Sequence, residues 1–166
     1  MKLIPLTKGE FAQIDDEDFN KTSCFKWYCS KRPHTNYAAR VQYSTENGIR
    51  KKRTIYLHHF IKGASTPTDH IDNNGLNNQK CNLRDATQRQ NMYNLSLSPK
   101  NKTGFKGVYF SNHRKKFCST IRCGGKVRYI CGEDTAQAAA IKYDEAATRF
   151  FGGFAKTNRM LGLLTV

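Results

Sequence analysis

The chain has no apolar run long enough to span a bilayer, which takes about 20 residues, and it carries no lipidation signal. Acidic residues are also scarce, because 13 Asp and Glu stand against 28 Lys and Arg, a formal net charge of +15 on 166 residues. No basic amphipathic helix with a wide apolar face is present to bind an anionic membrane surface. These absences favour nucleic acid as the partner and argue against a membrane.

A C-x₂-C pair, the spacing common in structural zinc sites, is also missing. The six cysteines lie at positions 24, 29, 81, 118, 123 and 131. We therefore expect no structural zinc. Because no signal peptide precedes the first strand, the simplest expectation is an intracellular, cytoplasmic protein with reduced thiols and no disulfide.

One change of composition divides the sequence, at LSLSPKNKT near residues 95–103. Pro99 and its Ser, Asn and Lys neighbours favour an extended, solvated segment, and the chain length allows one or two small domains. The predicted divisions are a β-rich N-terminal region at 1–56, a unit at 57–95, a linker at 96–103 and a module at 104–166.

The N-terminal region has short alternating patterns of apolar and polar residues. They predict strands at 2–6, 11–14, 25–30 and 37–43, with an acidic helix start at 15–18. Phe25, Trp27 and Tyr37 are interpreted as core residues, because alternation places one face of a short sheet inside. The run RKKR at 50–53 fits either a solvated hairpin tip or a phosphate clamp, and both remain open.

Asp69 and His70 carry the most specific chemistry in the sequence. Adjacent residues at the end of a strand can present a carboxylate to a cation and an imidazole to a proton. Mg²⁺ takes oxygen ligands, retains several waters and needs one or two protein ligands besides a substrate phosphate. A histidine beside an aspartate is, however, often a simple hydrogen-bonded pair, so the surrounding residues have to decide.

The residues after His70 predict a compact strand, strand and helix unit. Asn74-Gly75 is typical of a two-residue turn with positive φ at both centres. Residues 82–84 provide a return strand, and a short polar helix capped by Thr87 follows and carries Asn91.

Residues 57–91 contain LHH, DHIDNN, LNN, NLR and a final Asn, and they resemble the HNH nucleases of homing-endonuclease type. The resemblance implies that His70 is the general base and that Asp69 and Asn91 are metal ligands. It implies that Asn82 is the middle asparagine of the active site, bracing the hairpin and the histidine. One Mg²⁺ or Mn²⁺ per active site is expected.

The other histidines receive no catalytic role. His58 occupies the histidine of the family's LHR motif and His59 replaces its arginine. His34 and His113 are interpreted as ordinary surface or packing residues.

The last third predicts three strands and one helix. The strands are expected at 105–110, 116–122 and 126–131, with Cys123-Gly124-Gly125 as a tight connection. Asp134 with Gln137 resembles a capping box, and Gly152-Gly153 ends the helix. The predicted helix face towards the sheet consists of Ala136, Ala139, Ala140, Tyr143, Ala147 and Phe150.

The segments GFKGVYF, KKFCSTIR, RYICG and DTAQAAAIKYDEAATRFFGGFAKTN are similar to the Apetala-two or ethylene-response-factor DNA-binding domain. The family's strand tryptophans are missing, so base preference is not transferred. On the sheet face away from the helix we expect a basic and aromatic surface that enters a major groove. The expected DNA-binding residues are Tyr109, Arg114, Lys116, Arg122, Lys126 and Arg128.

Together these features predict an α+β protein with a ββα-metal unit followed by a three-stranded antiparallel sheet on one helix. The expected function is a metal-dependent, homing-type endonuclease that cuts double-stranded DNA, in a phage-infected bacterial host. The alternatives are a non-enzymatic DNA-binding regulator with a vestigial hairpin and an RNA-binding module. The sequence gives no oligomeric state.

Overall fold

A computed structural model describes residues 1–63 and 67–164, and it divides into two compact units, Met1–Arg89 and Gln90–Val166. The predicted unit at 57–95 and module at 104–166 each include a few residues outside the described ranges. Small antiparallel sheets and a few helices form both units, in agreement with the predicted α+β class. None of the described helices is long and apolar enough to cross a membrane.

The first unit is built from three small sheets. Its strands are β1 (Lys2–Pro5), β2 (Phe11–Ile14), β3 (Tyr28–Lys31), β4 (Asn36–Glu46), β5 (Ile49–Tyr56), β6 (Thr68–His70) and β7 (Leu83–Asp85). Its helices are α1 (Phe19–Ser23) and α2 (Leu57–Lys62), and α3 (Gln88–Tyr93) crosses the boundary to the second unit. The sheets pair as β1 with β2, β3-β4-β5, and β6 with β7.

One core joins the N-terminal strands to α2. Alternation along β1 and β2 places Ile4, Ala12 and Ile14 inside, where they pack with Trp27 and Leu57. The indole of Trp27 is 3% exposed and donates to the Thr22 carbonyl at 2.9 Å. The prediction that Trp27 is a core residue is therefore confirmed, but the same prediction is wrong for Phe25, which is 38% exposed because its edge-to-face contacts with Trp27 and Phe60 cover only part of the ring.

The strands β4 and β5 form the longest hairpin. Their pairing runs from Ala39 opposite Tyr56 to Glu46 opposite Ile49, and the turn residues Asn47 and Gly48 have φ of 52° and 74°. Positive φ at both centres matches the right-handed twist of the strands. At its other end, β5 runs directly into α2 and so fixes where that helix begins.

The second unit is an antiparallel meander covered by one helix. Its elements are β8 (Val108–Ser111), β9 (Lys116–Cys123), β10 (Lys126–Glu133) and α4 (Ala136–Phe151). Gly124 and Gly125 form the predicted tight connection, with φ of 61° and 79°. The N-cap of α4 is Thr135, one residue later than the predicted Asp134. The Thr135 side chain accepts a hydrogen bond from the Ala138 backbone amide at 3.1 Å.

Small side chains bring α4 close to the sheet. Ala139 and Ala140 pack on Val108, while Tyr143 and Ala147 pack with Ile121. The turn before β8 comes closest, because a Cβ at Gly107 would lie 2.2 Å from the Tyr143 ring, and Gly107 has φ of 76°. Glycine is therefore required there by both space and backbone conformation.

The strand register corrects the predicted outer face of this sheet. Arg128 lies opposite Ile121, whose side chain packs with α4, and its guanidinium lies 5.0 Å above the Phe150 ring. Lys126 is two residues from Arg128 on the same strand, opposite Cys123, and therefore shares that face. The two-residue turn fixes this register, and a slip of one residue exchanges the faces of a strand. Of the expected basic residues on the strands, Lys116 and Arg122 lie on the outer face. Tyr109 lies on the same face, because its partner Cys118 is two residues from Lys116.

The expectation of reduced thiols without a disulfide is wrong for one pair. Cys118 and Cys131 are directly opposite on β9 and β10, with Cα atoms 4.1 Å apart, and the structure joins them as a disulfide. Their spacing of 13 residues gave no signal, because the register of the hairpin brings them together. The other four cysteines are free.

Candidate active site

The hairpin of β6 and β7 places Asp69 and His70 beside each other. Thr68, Asp69 and His70 lie opposite Asp85, Arg84 and Leu83. Both predicted site residues are nearly enclosed, with 7% and 6% exposure. The return strand begins at Leu83, one residue after the predicted start, and α3 follows it at Gln88.

The loop between these strands differs from the predicted two-residue turn. Among its residues, positive φ occurs at Asn73, with 66°, and neither Asn74 nor Gly75 adopts it. Gly75 is required by close packing instead, because a Cβ would lie 2.4 Å from the Asn36 carbonyl oxygen and 2.6 Å from the Tyr37 ring. The chain thus needs twelve residues, 71–82, to return to the sheet, and its asparagines hold that loop.

Asn82 fastens the two ends of the loop. Its Nδ2 donates to Asp72 Oδ1 and to the Asn77 carbonyl, each at 2.9 Å. Its Oδ1 accepts from the Asp72 amide at 3.0 Å, and its backbone carbonyl accepts from the Ile71 amide. The amide of Asn74 also donates to Asp72 Oδ1 at 2.8 Å. These contacts fix the chain immediately after His70, so Asn82 acts on the histidine through the loop.

Asn78 makes a direct contact with the histidine. Its side chain is fully buried, and its Nδ2 donates to the Leu76 carbonyl at 3.0 Å. The oxygen of that amide must therefore be the atom facing His70 Nε2 at 3.4 Å, and Nε2–H donates to it. A neutral imidazole protonated at Nε2 has its basic lone pair on Nδ1. In that tautomer, Nδ1 is the ring atom with proton-accepting character.

His58, for which the sequence predicts no catalytic role, is a neighbour of His70. It is 6% exposed on α2, and the rings of His58 and His70 meet edge to face with centroids 4.9 Å apart. The centroid of the Tyr37 ring lies 5.7 Å from the centroids of both imidazoles, and the Tyr56 ring stacks on His58 with centroids 5.6 Å apart. These contacts hold the His70 ring from the side. The only sequence signal was the LHH triplet at the start of a helix, which does not identify a partner.

Burial keeps both imidazoles neutral. It lowers the pKa of His58 from 6.5 to about 3, with smaller contributions from His70 and His59. Burial also lowers the pKa of His70, against the opposing effects of Asn78, Asp72 and Asp69. A histidine with a lowered pKa is unprotonated at neutral pH and can accept a proton. Nδ1 of His58 is buried without a hydrogen-bond partner among the described residues.

Asp69 is held by a cross-strand ion pair. The Nε and Nη2 atoms of Arg84 lie 2.8 and 2.6 Å from Asp69 Oδ2. The guanidinium therefore balances the charge of the carboxylate and fixes its orientation. Arg84 belongs to the NLR segment of the sequence, but its pairing with Asp69 depends on the strand register, which local sequence does not determine.

The donor chemistry at Asp69 fits a hard divalent cation. Across residues 1–63 and 67–164, no group of three or more His, Cys, Asp or Glu is placed to hold a metal ion. A carboxylate oxygen at Asp69, together with amide oxygens, water and substrate phosphate, would form an all-oxygen set of the kind that suits Mg²⁺. Asn91 lies on α3 within the second unit, so its role as the amide ligand stays a prediction.

Comparison with known proteins identifies the family. The uncharacterized HNH endonuclease L560 of Acanthamoeba polyphaga mimivirus is 32% identical over 157 residues, which are 92% of this chain and 77% of that protein. The chain belongs to the HNH endonuclease family. Protein 3.8 of Escherichia phage T7 is 33% identical to this HNH family member over 75 residues, 45% of the chain and 62% of that protein. No family model and no solved structure matches.

The family assignment confirms the coarser part of the sequence interpretation, an HNH-type nuclease. The resemblance of the last third to the Apetala-two domain receives no support from these matches. The roles of His70, Asn82, Asp69 and Asn91 also stay predictions, because the assignment rests on overall identity.

The ion pair leads to a stability prediction. Replacing Arg84 with Ala leaves the Asp69 carboxylate buried without its cation, and we expect a loss of about 3 kcal/mol in the free energy of unfolding. Trp27 is the single tryptophan and is buried in the first unit, so its fluorescence in a urea titration reports on that unit. The double variant Asp69→Asn with Arg84→Ala removes both charges and should be more stable than Arg84→Ala alone. Strict additivity of the two single changes would contradict a coupled pair.

Proposed function

We propose that this protein is a metal-dependent endonuclease that hydrolyses phosphodiester bonds in double-stranded DNA, of the homing type. The observation that carries this is the buried Asp69 and His70 pair on the β6 and β7 hairpin of an HNH family member. The net charge of +15 supports a polyanionic substrate.

His70 is the proposed general base. With Nε2–H donated to Asn78, Nδ1 removes a proton from the attacking water as its oxygen bonds to phosphorus. The bond between phosphorus and the 3′ oxygen then breaks, and the leaving oxygen takes up a proton. The products are a 5′-phosphate and a 3′-hydroxyl.

Asp69 and Asn91 are the proposed ligands of one Mg²⁺ or Mn²⁺. A divalent ion bound there supplies positive charge for the phosphate oxygens. Arg84 orients the Asp69 carboxylate, and Asn82 holds the loop that follows the base. The Asp69 carboxylate and the loop after His70 are thereby fixed before substrate arrives, which lowers the reorganisation needed during reaction.

Cleavage of supercoiled plasmid tests this function. The wild type should nick or linearise the plasmid with Mg²⁺ and should do neither with a chelator. Binding of DNA without any cleavage under both conditions would instead support the non-enzymatic regulator considered above.

The second unit is the proposed DNA-targeting module, of the Apetala-two or ethylene-response-factor type. Its β8-β9-β10 meander packed on α4 supports this proposal. The outer sheet face presents Tyr109, Arg122 and Tyr129, the last being 66% exposed. An exposed set of aromatic and cationic side chains suits both phosphate and base contacts. Arg114 lies in the turn between β8 and β9 and is exposed.

Replacing Arg122 with Gln should weaken duplex binding and reduce the slope of log K against log salt by about 1, because one phosphate contact is lost. Fluorescence anisotropy at several salt concentrations measures this slope. Arg128→Gln is the matched control, since Arg128 is also an exposed arginine but lies on the opposite face. Equal reductions for the two variants would contradict the outer face as the DNA surface.

A further inference from the structure

The outer half of the β4 and β5 hairpin extends beyond the third strand of its sheet and is exposed. Strand β3 pairs with β4 as far as Ala39, whereas β4 and β5 continue together to Glu46 and Ile49. Every residue at 42–53 is exposed. We call these twelve residues the basic ribbon. Two strands without a third strand or a core are marginally stable by themselves, so packing does not explain the length of this hairpin.

The basic ribbon distributes its charge on two faces. Arg50, Lys51, Lys52 and Arg53 are consecutive, and successive side chains of a strand point to opposite sides. The register confirms the two sets: Lys52 lies opposite Tyr43, and Lys51 lies opposite Ser44. Four basic residues against Glu46 give the ribbon a net charge of +3. Each face therefore carries two cations.

One face also has an ordered cation. The guanidinium of Arg50 lies 4.1 Å above the ring of Tyr43, which is itself 54% exposed. This contact holds a long side chain extended along the ribbon without neutralising its charge. On the other face Lys51 pairs with Glu46, so the two faces differ in free charge.

We propose that the basic ribbon inserts into the major groove of duplex DNA, a role that rests on the DNA substrate of the proposed function. The major groove, about 12 Å wide, admits a two-stranded ribbon, and a ribbon that enters it edge-on turns one face towards each wall of the groove. A groove has a phosphate backbone on each side. Cations on both faces of the ribbon match these two walls, whereas a flat phosphate surface would need them on one face.

The competing explanation is that basic side chains only protect exposed strand edges from pairing with other chains. Protection requires charge of either sign, but binding in the groove requires positive charge. Replacing the four residues with Glu preserves the protection and removes the attraction, so this substitution separates the two explanations.

The test uses the full chain and a random-sequence duplex in fluorescence anisotropy at several salt concentrations. Arg50→Gln with Lys52→Gln neutralises one face, and Lys51→Gln with Arg53→Gln neutralises the other. Each pair should reduce the slope of log K against log salt by about 1 to 2, and all four together by about 3 to 4. Lys8→Gln with Lys26→Gln is the control, because it removes the same charge at exposed positions outside the ribbon.

The control pair should change the slope by less than about 0.5. Equal slopes for the control and the ribbon variants would overturn the proposal, and an effect from one face alone would overturn insertion into a groove. The variant with four Glu should bind at least as weakly as the variant with four Gln. Edge protection would be established instead if the variant with four Gln self-associated in size-exclusion chromatography, while the variant with four Glu was monomeric and bound DNA as the wild type does.

Plasmid cleavage measured in parallel separates this proposal from the proposed function. Wild-type cleavage with Mg²⁺ and unchanged slopes in the ribbon variants would remove the ribbon and retain the nuclease. No wild-type cleavage, with reduced slopes in the ribbon variants, would remove the nuclease and retain a DNA-binding ribbon.

Discussion

Plasmid cleavage should fall by about 10²- to 10⁴-fold when His70 is replaced by Ala, the range that a general base contributes. His70 is the buried imidazole whose lowered pKa keeps it unprotonated, and Asn78 sets which nitrogen is basic. Duplex binding should be almost unchanged, because the side chain is 6% exposed and adds no charge at neutral pH. The rate of plasmid nicking at saturating protein and the anisotropy of a labelled duplex measure the two effects.

The control for this change is His34→Ala, which removes an exposed histidine of the same unit. It should retain full cleavage. Circular dichroism and the fluorescence of Trp27 show whether the His70 variant retains its fold. If binding fell as much as cleavage, His70 would not be the general base. Cleavage by the variant at the wild-type rate would exclude that role as well.

Acid should destabilise the first unit through His58. Its pKa is lowered from 6.5 to about 3 in the folded protein, so it is neutral in both states well above pH 6.5. As the pH falls below 6.5, the unfolded chain binds a proton that the folded chain excludes, and the free energy of unfolding decreases until about pH 3. We expect this one histidine to lower it by about 2 kcal/mol between about pH 7 and about pH 5.

Urea titrations of Trp27 fluorescence at the two pH values measure this loss. His58→Gln removes the titrating group, so its stability should depend less steeply on pH by about the same 2 kcal/mol. His34→Gln is the matched control and should behave as the wild type. Since the pKa of His70 is also lowered, part of the pH dependence should remain in His58→Gln. Identical pH dependence in the wild type and His58→Gln would contradict a neutral, buried His58.

Local patterns were sufficient for most elements because they depend on neighbours along the chain. Alternation located β2 and the start of β9, and the alanines of α4 identified the helix face that packs on the sheet. The Asp69 and His70 pair could be read in the same way, since its spacing and its return strand are local. The Asn74-Gly75 turn failed because turn propensity competed with packing, and Gly75 is needed where Asn36 and Tyr37 come close.

Contacts between distant residues could not be predicted in this way. Asn78 among several asparagines, and His58 beside His59, have no local feature that identifies them as neighbours of His70. The pairing of Cys118 with Cys131 and the positions of Lys126 and Arg128 depend on one hairpin register, and a shift of one residue would reverse them.

The sequence by itself determined the family, the strand and helix patterns, the strong positive charge and the pairing of a carboxylate with an imidazole, because these are properties of residue type and spacing. The tertiary structure alone decided that Arg84 balances Asp69, that Asn78 and His58 hold His70, and that the basic ribbon extends beyond its sheet. Such contacts result from strand register and from the packing of segments far apart in the chain. Loop lengths and side-chain volumes together determine which of these segments meet.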